Sequence, residues 1–334
     1  MEQNKIYHSD WMSNTLEDKS VQLIIADPPY FEVKGEFDFI WKTFDEYLQQ
    51  VELWVKECKR ILADNGTLFW YGNSKKIAYS QIIIDKYFNL ENSLVWRKKD
   101  SIQYQYYSPD LARTFNTHNE RLLMYSNEVI MTGLETIKLD VENFKTLRQY
   151  FKELQEWIGI PKSKIVEQVG QTADHCFRWG STQWDLPTIE TYNKLIELYK
   201  IDTWEKFKPY ELTKNENEDL RKEYEGLRQE YEIQRRFFYN PQKYEEVLEF
   251  SQEGHKTGKY DHDTCKPETL TRALILTCSR PKDLILIPFA GSGTEVAMAI
   301  KEGRNAIGFD TELKYVEMGN KRTDIIKAQP SLFF

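Results

Sequence analysis

Hydrophobic positions change rhythm twice along the chain. Residues 21–26 (VQLIIA) form a short, unbroken apolar run, the pattern of a strand buried on both faces of a parallel sheet. Phe44, Tyr47, Leu48, Val51, Trp54, Val55, Cys58, Ile61 and Leu62 then recur at helical spacing and predict an amphipathic helix over about 43–63. Asn65-Gly66 reads as its stop signal. Strands are expected at 67–71, 93–96 and 122–125, with a helix over 75–87. Strand alternating with helix is the rhythm of a doubly wound, Rossmann-like α/β sheet. Between 131 and 260 the pattern turns helix-rich and charged, with helices expected at 144–157, 162–169, 172–179 and 187–199. Leu220, Tyr224, Leu227 and Tyr231 step by 4, 3 and 4, an apolar seam that either docks on the body or meets a coiled-coil partner. After 261 the α/β rhythm returns: helix 267–279, strand 284–287, helix 294–302, strand 306–309 and a last helix from about Thr311. The expected organisation is one α/β domain, 1–130 with 261–334, interrupted by a helical insertion at 131–260.

Composition narrows the class. A chain of 334 residues with 40% hydrophobic residues is long enough for about two domains and a sizeable core without disulfides. Cys58, Cys176, Cys265 and Cys278 lie far apart with no CxxC pair, so they read as reduced thiols rather than a disulfide framework or a zinc site. His175 and His262 have no second ligand at metal-site spacing, and no metal is expected. The start, MEQNKIYHSD, has no apolar run, and stretches such as 284–290 fall well short of a membrane span, so a cytoplasmic protein is expected. The net charge of −8 argues against a nucleic-acid partner unless a specific motif overrides it.

Two motifs carry chemistry. Asp27-Pro28-Pro29-Tyr30 sits where VQLIIA ends, the place where open α/β sheets bind ligands. Consecutive prolines fix φ and remove N–H donors, holding a rigid loop between an acid and an aromatic. Asp27 and the Pro28 carbonyl suit the two N–H groups of a planar aryl amine, and Tyr30 suits its face. A tight Asp-Pro turn is the plainer alternative for the tetrapeptide alone. The second motif, Ile287-Pro288-Phe289-Ala290-Gly291-Ser292-Gly293-Thr294, joins a strand to a helix, where glycines admit close backbone approach and a helix N-terminus favours anionic groups. Asp310 follows 19 residues after Gly291, placed to meet ribose hydroxyls. No GKS or GKT follows, which argues against a P-loop NTPase.

Together these features resemble the amino-methyltransferases of DNA. Asp27–Tyr30 matches the DPPY catalytic motif, and Phe289, Gly291 and Gly293 match the FxGxG motif that binds S-adenosylmethionine in that family. HSD with Asp10, CKRILADNGTLFWYGN (58–73), SLVWRKK (93–99), THNERLLMYS (117–126), HDTCKP (262–267), GRNAIGFD (303–310), Tyr315 and Asn320-Lys321-Arg322 follow in family order. RKEYEGLRQEYE (221–232) is similar to a segment of phage and bacterial members. The catalytic motif precedes the cofactor motif, which is the permuted β-type order with a target-recognition region between them. The resemblance implies a site-specific adenine-N6 methyltransferase acting on double-stranded DNA, with Asp10, Lys266, Phe289–Thr294 (289–294, including Ala290 and Ser292) and Asp310 lining the cofactor pocket. It implies a flipped adenine held by Asp27 and the Pro28 carbonyl, stacked on Tyr30 and bordered by Phe31. A homodimer and a cognate restriction endonuclease are the partners it suggests. One departure stands out: the family carries Asp-Pro-Phe where this chain has Ile287-Pro288-Phe289, and that acid helps position the cofactor. The alternatives are another amine substrate (cytosine N4, RNA or a protein side chain) and a non-catalytic DNA-binding subunit, which only Ile287 favours.

Two further readings concern DNA. The spacing in 166–199 is similar to repressor-type helix-turn-helix domains, which would aim Thr172, Asp174, His175 and Arg178 at the major groove, against the plainer reading of an ordinary helical subdomain. Arg97-Lys98-Lys99, Arg113 and Arg121 flank Tyr104, Tyr106 and Tyr107, a basic and aromatic mixture suited to phosphates and bases or, alternatively, a solvated loop.

Overall fold

The computed structural model describes residues 1–32, 40–99, 119–127, 143–251 and 265–328, with main chain alone at 230–234. Among the described residues the strands are β1 (Lys5–His8), β2 (Val21–Ala26), β3 (Leu62–Gly72), β4 (Asn89–Lys99), β5 (Asn119–Ser126), β6 (Val247–Ser251), β7 (Leu284–Ile287) and β8 (Asn305–Asp310). They form one sheet in the order β1-β8-β7-β2-β3-β5-β4-β6. β1, β8, β7, β2 and β3 run parallel, β5 is antiparallel to both β3 and β4, and β6 is parallel to β4. The carboxyl ends of β1, β2, β4, β7 and β8 and the start of β5 therefore share one sheet edge.

Alternation along the strands builds two apolar layers. Ile24 and Ala26 face one layer with Val51, Trp54, Val55, Cys58 and Ile61 of helix α1 (Phe44–Ile61) and with helix α2 (Ile77–Ile84). Leu23 and Ile25 face the other, with α8 (Glu268–Cys278), α9 (Thr294–Lys301) and α10 (Leu313–Lys327). Thr43 starts α1 by accepting the Glu46 N–H at 3.2 Å, a side-chain N-cap.

The chain divides into two compact units, 1–129 with 235–334 and 130–234. The boundary at 235 precedes the expected 261, because residues 247–251 are β6 and extend the sheet beside β4. The second unit holds α3 (Lys145–Ile158), α4 (Lys162–Val169), α5 (Ala173–Cys176), α6 (Ile189–Tyr199) and α7 (Tyr210–Gln234). Leu147, Phe151, Leu154, Ile165, Tyr192 and Leu195 are fully buried in its own core. Leu220 and Tyr224 of the α7 seam dock on that core.

Asn65-Gly66 does not end α1. The helix stops at Ile61, and the pair lies inside β3, where Val21 pairs with Leu62 and Leu23 with Thr67. Five steps on β3 against two on β2 make a bulge, and a Cβ on Gly66 would meet Leu62 Cδ1 at 2.6 Å. Among the described residues, no helix is long and apolar enough to cross a membrane.

Candidate active site

The loop after β2 presents Asp27 half-buried at the shared edge, with Pro28 buried behind it. Both Asp27 oxygens are engaged. Tyr30 Oη donates to Oδ1 at 2.6 Å, and Lys266 Nζ donates to Oδ2. Lys266 comes from the turn before α8, is 6% exposed and lies 4.8 Å above the centre of the Tyr71 ring. Its ammonium is also 3.4 Å from Oε2 of Glu120, which opens β5. Lys98, near the end of β4, holds Glu120 Oε1 at 2.6 Å.

The electrostatics follow from this packing. Burial works against the Lys266 charge, but Asp27 and Glu120 overcome it and raise the ammonium pKa above its usual value. Burial likewise works against Glu120, yet Lys266 and Lys98 hold its carboxyl below the usual range. Burial, then the charges on Asp27 and Glu120, push the Tyr30 phenol well above its ordinary value, so Tyr30 is a neutral donor to Asp27. Glu295, in the first turn of α9, is 7% exposed, and burial pushes it up to about 7 against the opposing pull of its backbone N–H and Lys266.

Beside this cluster lies the glycine turn between β7 and α9. Gly291 and Gly293 have φ of 49° and 75°, the left-handed region that disfavours other residues. Gly293 also admits a neighbouring helix: a Cβ there would sit 2.7 Å from Gly319 Cα of α10. Asp310 Oδ2 accepts the Gly291 N–H at 2.8 Å and Oδ1 accepts the Glu312 N–H at 2.9 Å. Burial raises the Asp310 pKa against those hydrogen bonds. Phe289 packs edge-on against Trp54 at 4.9 Å and Trp11 at 6.1 Å between ring centres.

The residues expected around a cofactor divide by exposure. Asp10 is exposed and caps a short turn through Met12 N–H at 2.9 Å. Phe289, Gly291 and Asp310 are half-buried on the accessible side. Ala290, Ser292, Gly293 and Thr294 are buried. Ser292 Oγ meets Cys265 Sγ at 2.7 Å, and Thr294 Oγ1 accepts from Arg322 at 2.9 Å, while Arg322 pairs with Glu268 at 2.7 Å. Ile287 is 1% exposed in the apolar layer with Ile25 and Val296, so the position that holds an acid in the family holds a core side chain here. Phe31 does not border the Asp27 cluster. It is buried in the opposite layer against Phe44 and Tyr47.

The basic run is separated by strand alternation. Arg97 and Lys99 point to one side and share Glu249 at 3.0 and 3.1 Å. Lys98 points to the other, into the site. Arg113, Tyr104, Tyr106, Tyr107 and His262 lie outside the described residues. The expected recognition helix is one turn, Ala173–Cys176. Its polar side chains are used internally: Thr172 with Thr191 at 2.7 Å, Asp174 with Lys162 at 2.8 Å and with Arg178, and His175 Nδ1 with the Gln183 carbonyl at 3.1 Å. Each of these polar groups closes a contact within the unit, as an ordinary helical subdomain would, while Thr172 and His175 remain exposed. Glu120, Tyr71, Glu295 and Gly319 were missed by pattern alone. An acid opening the apolar run ERLLMY was the available signal for Glu120.

A family model described as DNA methylase matches residues 21–321. Type II methyltransferase M.HinfI of Haemophilus influenzae is 26% identical over 95% of this chain and 67% of its own length. Type II methyltransferase M1.MboII of Moraxella bovis is 26% identical over 96% of both chains. DNA adenine methyltransferase YhdJ of Escherichia coli (strain K12) is 23% identical over 97% of this chain and 84% of its own. Among solved structures, the M1.HpyAVI–SAM complex aligns with a TM-score of 0.51 at 15% identity, covering 95% of this chain and 98% of that one. The cytosine-N4-specific PvuII DNA methyltransferase aligns at 0.50 and 14% identity, covering 96% and 89%. At such identities the likeness is one of fold.

Proposed function

The chain belongs to the DNA methylase family, and on that premise we propose that it transfers a methyl group from S-adenosylmethionine to the N6 amine of a flipped adenine at a specific site in double-stranded DNA. The observation that carries the reading is the Asp27 carboxylate, held by Tyr30 on a proline-stiffened loop one strand away from the Gly291–Asp310 turn. Adenine is favoured by the DPPY sequence and by a relative named as an adenine methyltransferase over nearly the whole chain.

The cofactor fits the residues present. The positive-φ turn at Gly291 leaves a half-buried backbone edge beside Asp310, whose carboxylate has lone pairs left after two backbone hydrogen bonds. Asp310 would take ribose hydroxyls, Phe289 would offer an apolar face, and Asp10 would close the outer side. The buried Ala290, Ser292, Gly293 and Thr294 would hold the turn in shape. When bound, S-adenosylmethionine supplies an electrophilic methyl on a sulfonium.

Asp27 and the Pro28 carbonyl accept the hydrogens of the adenine amine, favouring a nitrogen with a usable lone pair. Tyr30 offers a ring to the base. Chemistry on the amine needs the base out of the stack, and the rate comes mainly from positioning and from carboxylate electrostatics in a half-buried site. The helical unit is the target-recognition region, with Arg97 and Lys99 as phosphate contacts. Lys98 serves the site instead, and Arg178 serves the helical subdomain. A cytoplasmic location, a homodimer and a companion restriction endonuclease complete the reading, the last supported by the type II names of two relatives. Expression in a methylation-free bacterium followed by modification-sensitive sequencing tests it: N6-methyladenine at one recurring sequence is expected, whereas N4-methylcytosine or unmodified DNA would overturn it.

A further inference from the structure

The ammonium of Lys266 holds the acceptor that an incoming amine needs. It donates to Asp27 Oδ2, while Tyr30 already takes Oδ1. A target amine on Asp27 must therefore displace a buried, charged donor, and a buried ammonium left without a partner is costly. The structure contains its next partner. Glu120 Oε2 lies 3.4 Å from Lys266 Nζ and is buried without a hydrogen bond, while Lys98 anchors the other oxygen at 2.6 Å. The Tyr71 ring beneath the ammonium, 4.8 Å from its centre, gives the charge a face on which to shift.

We propose that Lys266 is a positioning residue that holds Asp27 in place until the target base arrives and is then handed to Glu120 Oε2, freeing Asp27 for the amine. The ammonium stands where the amino group of the base will stand, so the acid keeps its orientation and its charge stays compensated. Glu120 balances the displaced charge, and Lys98 fixes Glu120 so that Oε2, already ion-paired with Lys266 at 3.4 Å, can close on it as a hydrogen-bond acceptor. The role rests on the methyltransferase reading above.

The test uses the full chain and a duplex bearing its own methylated sequence, with adenine kept at the target position and 2-aminopurine as its stacking neighbour to report the flipped base. Wild-type methylation and a wild-type fluorescence rise check the underlying reading; if neither is seen, that reading fails and the handover with it. Glu120→Gln keeps the shape but weakens the acceptor, trapping Lys266 on Asp27. The flipped-base signal should then fall about tenfold or more, as for a lost charged hydrogen bond, while S-adenosylmethionine affinity stays within about twofold. Glu120→Gln combined with Lys266→Met, which removes the donor, should restore the signal to at least the wild-type level. Glu120→Asp, with its charge kept and its reach shortened, replaces Glu120→Gln if that variant unfolds and carries the same expectations. A wild-type signal in the Glu120 variant, or a double variant no better than that single one, overturns the proposal.

Discussion

Asp27 has three demands on two oxygens: a phenol, an ammonium and, in the proposed reaction, an aryl amine. Its removal therefore touches both chemistry and stability. Asp27→Ala should lower kcat by at least about a hundredfold, the scale for losing one preorganised electrostatic group, while the chain still folds and binds S-adenosylmethionine with a lowered melting temperature, because the buried Lys266 ammonium loses its Asp27 partner; near wild-type methyl transfer would end the role given to the acid. Glu295 offers a second residue-scale test. Burial raises its pKa to about 7, so the folded chain keeps a proton that the unfolded chain loses above its ordinary value of about 4.3. That contribution to stability is complete below about pH 4.3 and is lost as pH rises through about 7. Glu295→Gln removes it, and stability relative to wild type should rise by up to roughly 3 kcal/mol between pH 4 and pH 8. Urea unfolding at four pH values measures this, and parallel curves for the two proteins would contradict it.

Elements with long apolar patterns were legible. VQLIIA, the α1 stripe, 284–287 and 306–309 all reappear as predicted, because burial on both sheet faces leaves continuous runs and helix burial leaves a 3.6-residue period. β1 and β6 were not, since KIYH and VLEFS are short edge strands with one buried residue each, Ile6 and Leu248. Asn65-Gly66 misled because a bulge uses the same residues as a helix stop. The glycine turn was visible as FxGxG, but not the reason for its second glycine, which is the contact with Gly319, 26 residues later in the chain. That reason is testable against Gly303, which has the same φ of 75° with nothing within 4 Å of an added Cβ. Gly303→Ala should cost about 1 kcal/mol from backbone strain alone. Gly293→Ala should cost about 1–2 kcal/mol more, since α10 must move away, and should weaken S-adenosylmethionine binding. Equal losses on thermal unfolding would remove the helix contact from the account.

The molecule as a whole carries a net charge of −8, and ion pairing among the described residues disposes of many of its cations: Lys98 and Lys266 are committed to carboxylates inside the site. Arg97 and Lys99 share one carboxylate, leaving a local excess of one positive charge. If they contact phosphate, Lys99→Ala should reduce the slope of log affinity for DNA against log salt by about 1; an unchanged slope would take the strand end out of the DNA interface. The proposed division of labour between the two units yields the last expectation. Phe151 is fully buried at the centre of the helical core, in ring contact with Tyr150, Phe177, Trp184 and Tyr192. Phe151→Ala should destabilise that core by about 3–5 kcal/mol. The glycine turn, Asp310 and Asp27 belong to the other unit, which has its own two apolar layers. Calorimetric titration should therefore find S-adenosylmethionine affinity within about twofold of wild type, while methylation at the specific sequence collapses. Loss of cofactor affinity in step with methylation would show instead that the helical core supports the sheet, and the target-recognition role would lose its separate footing.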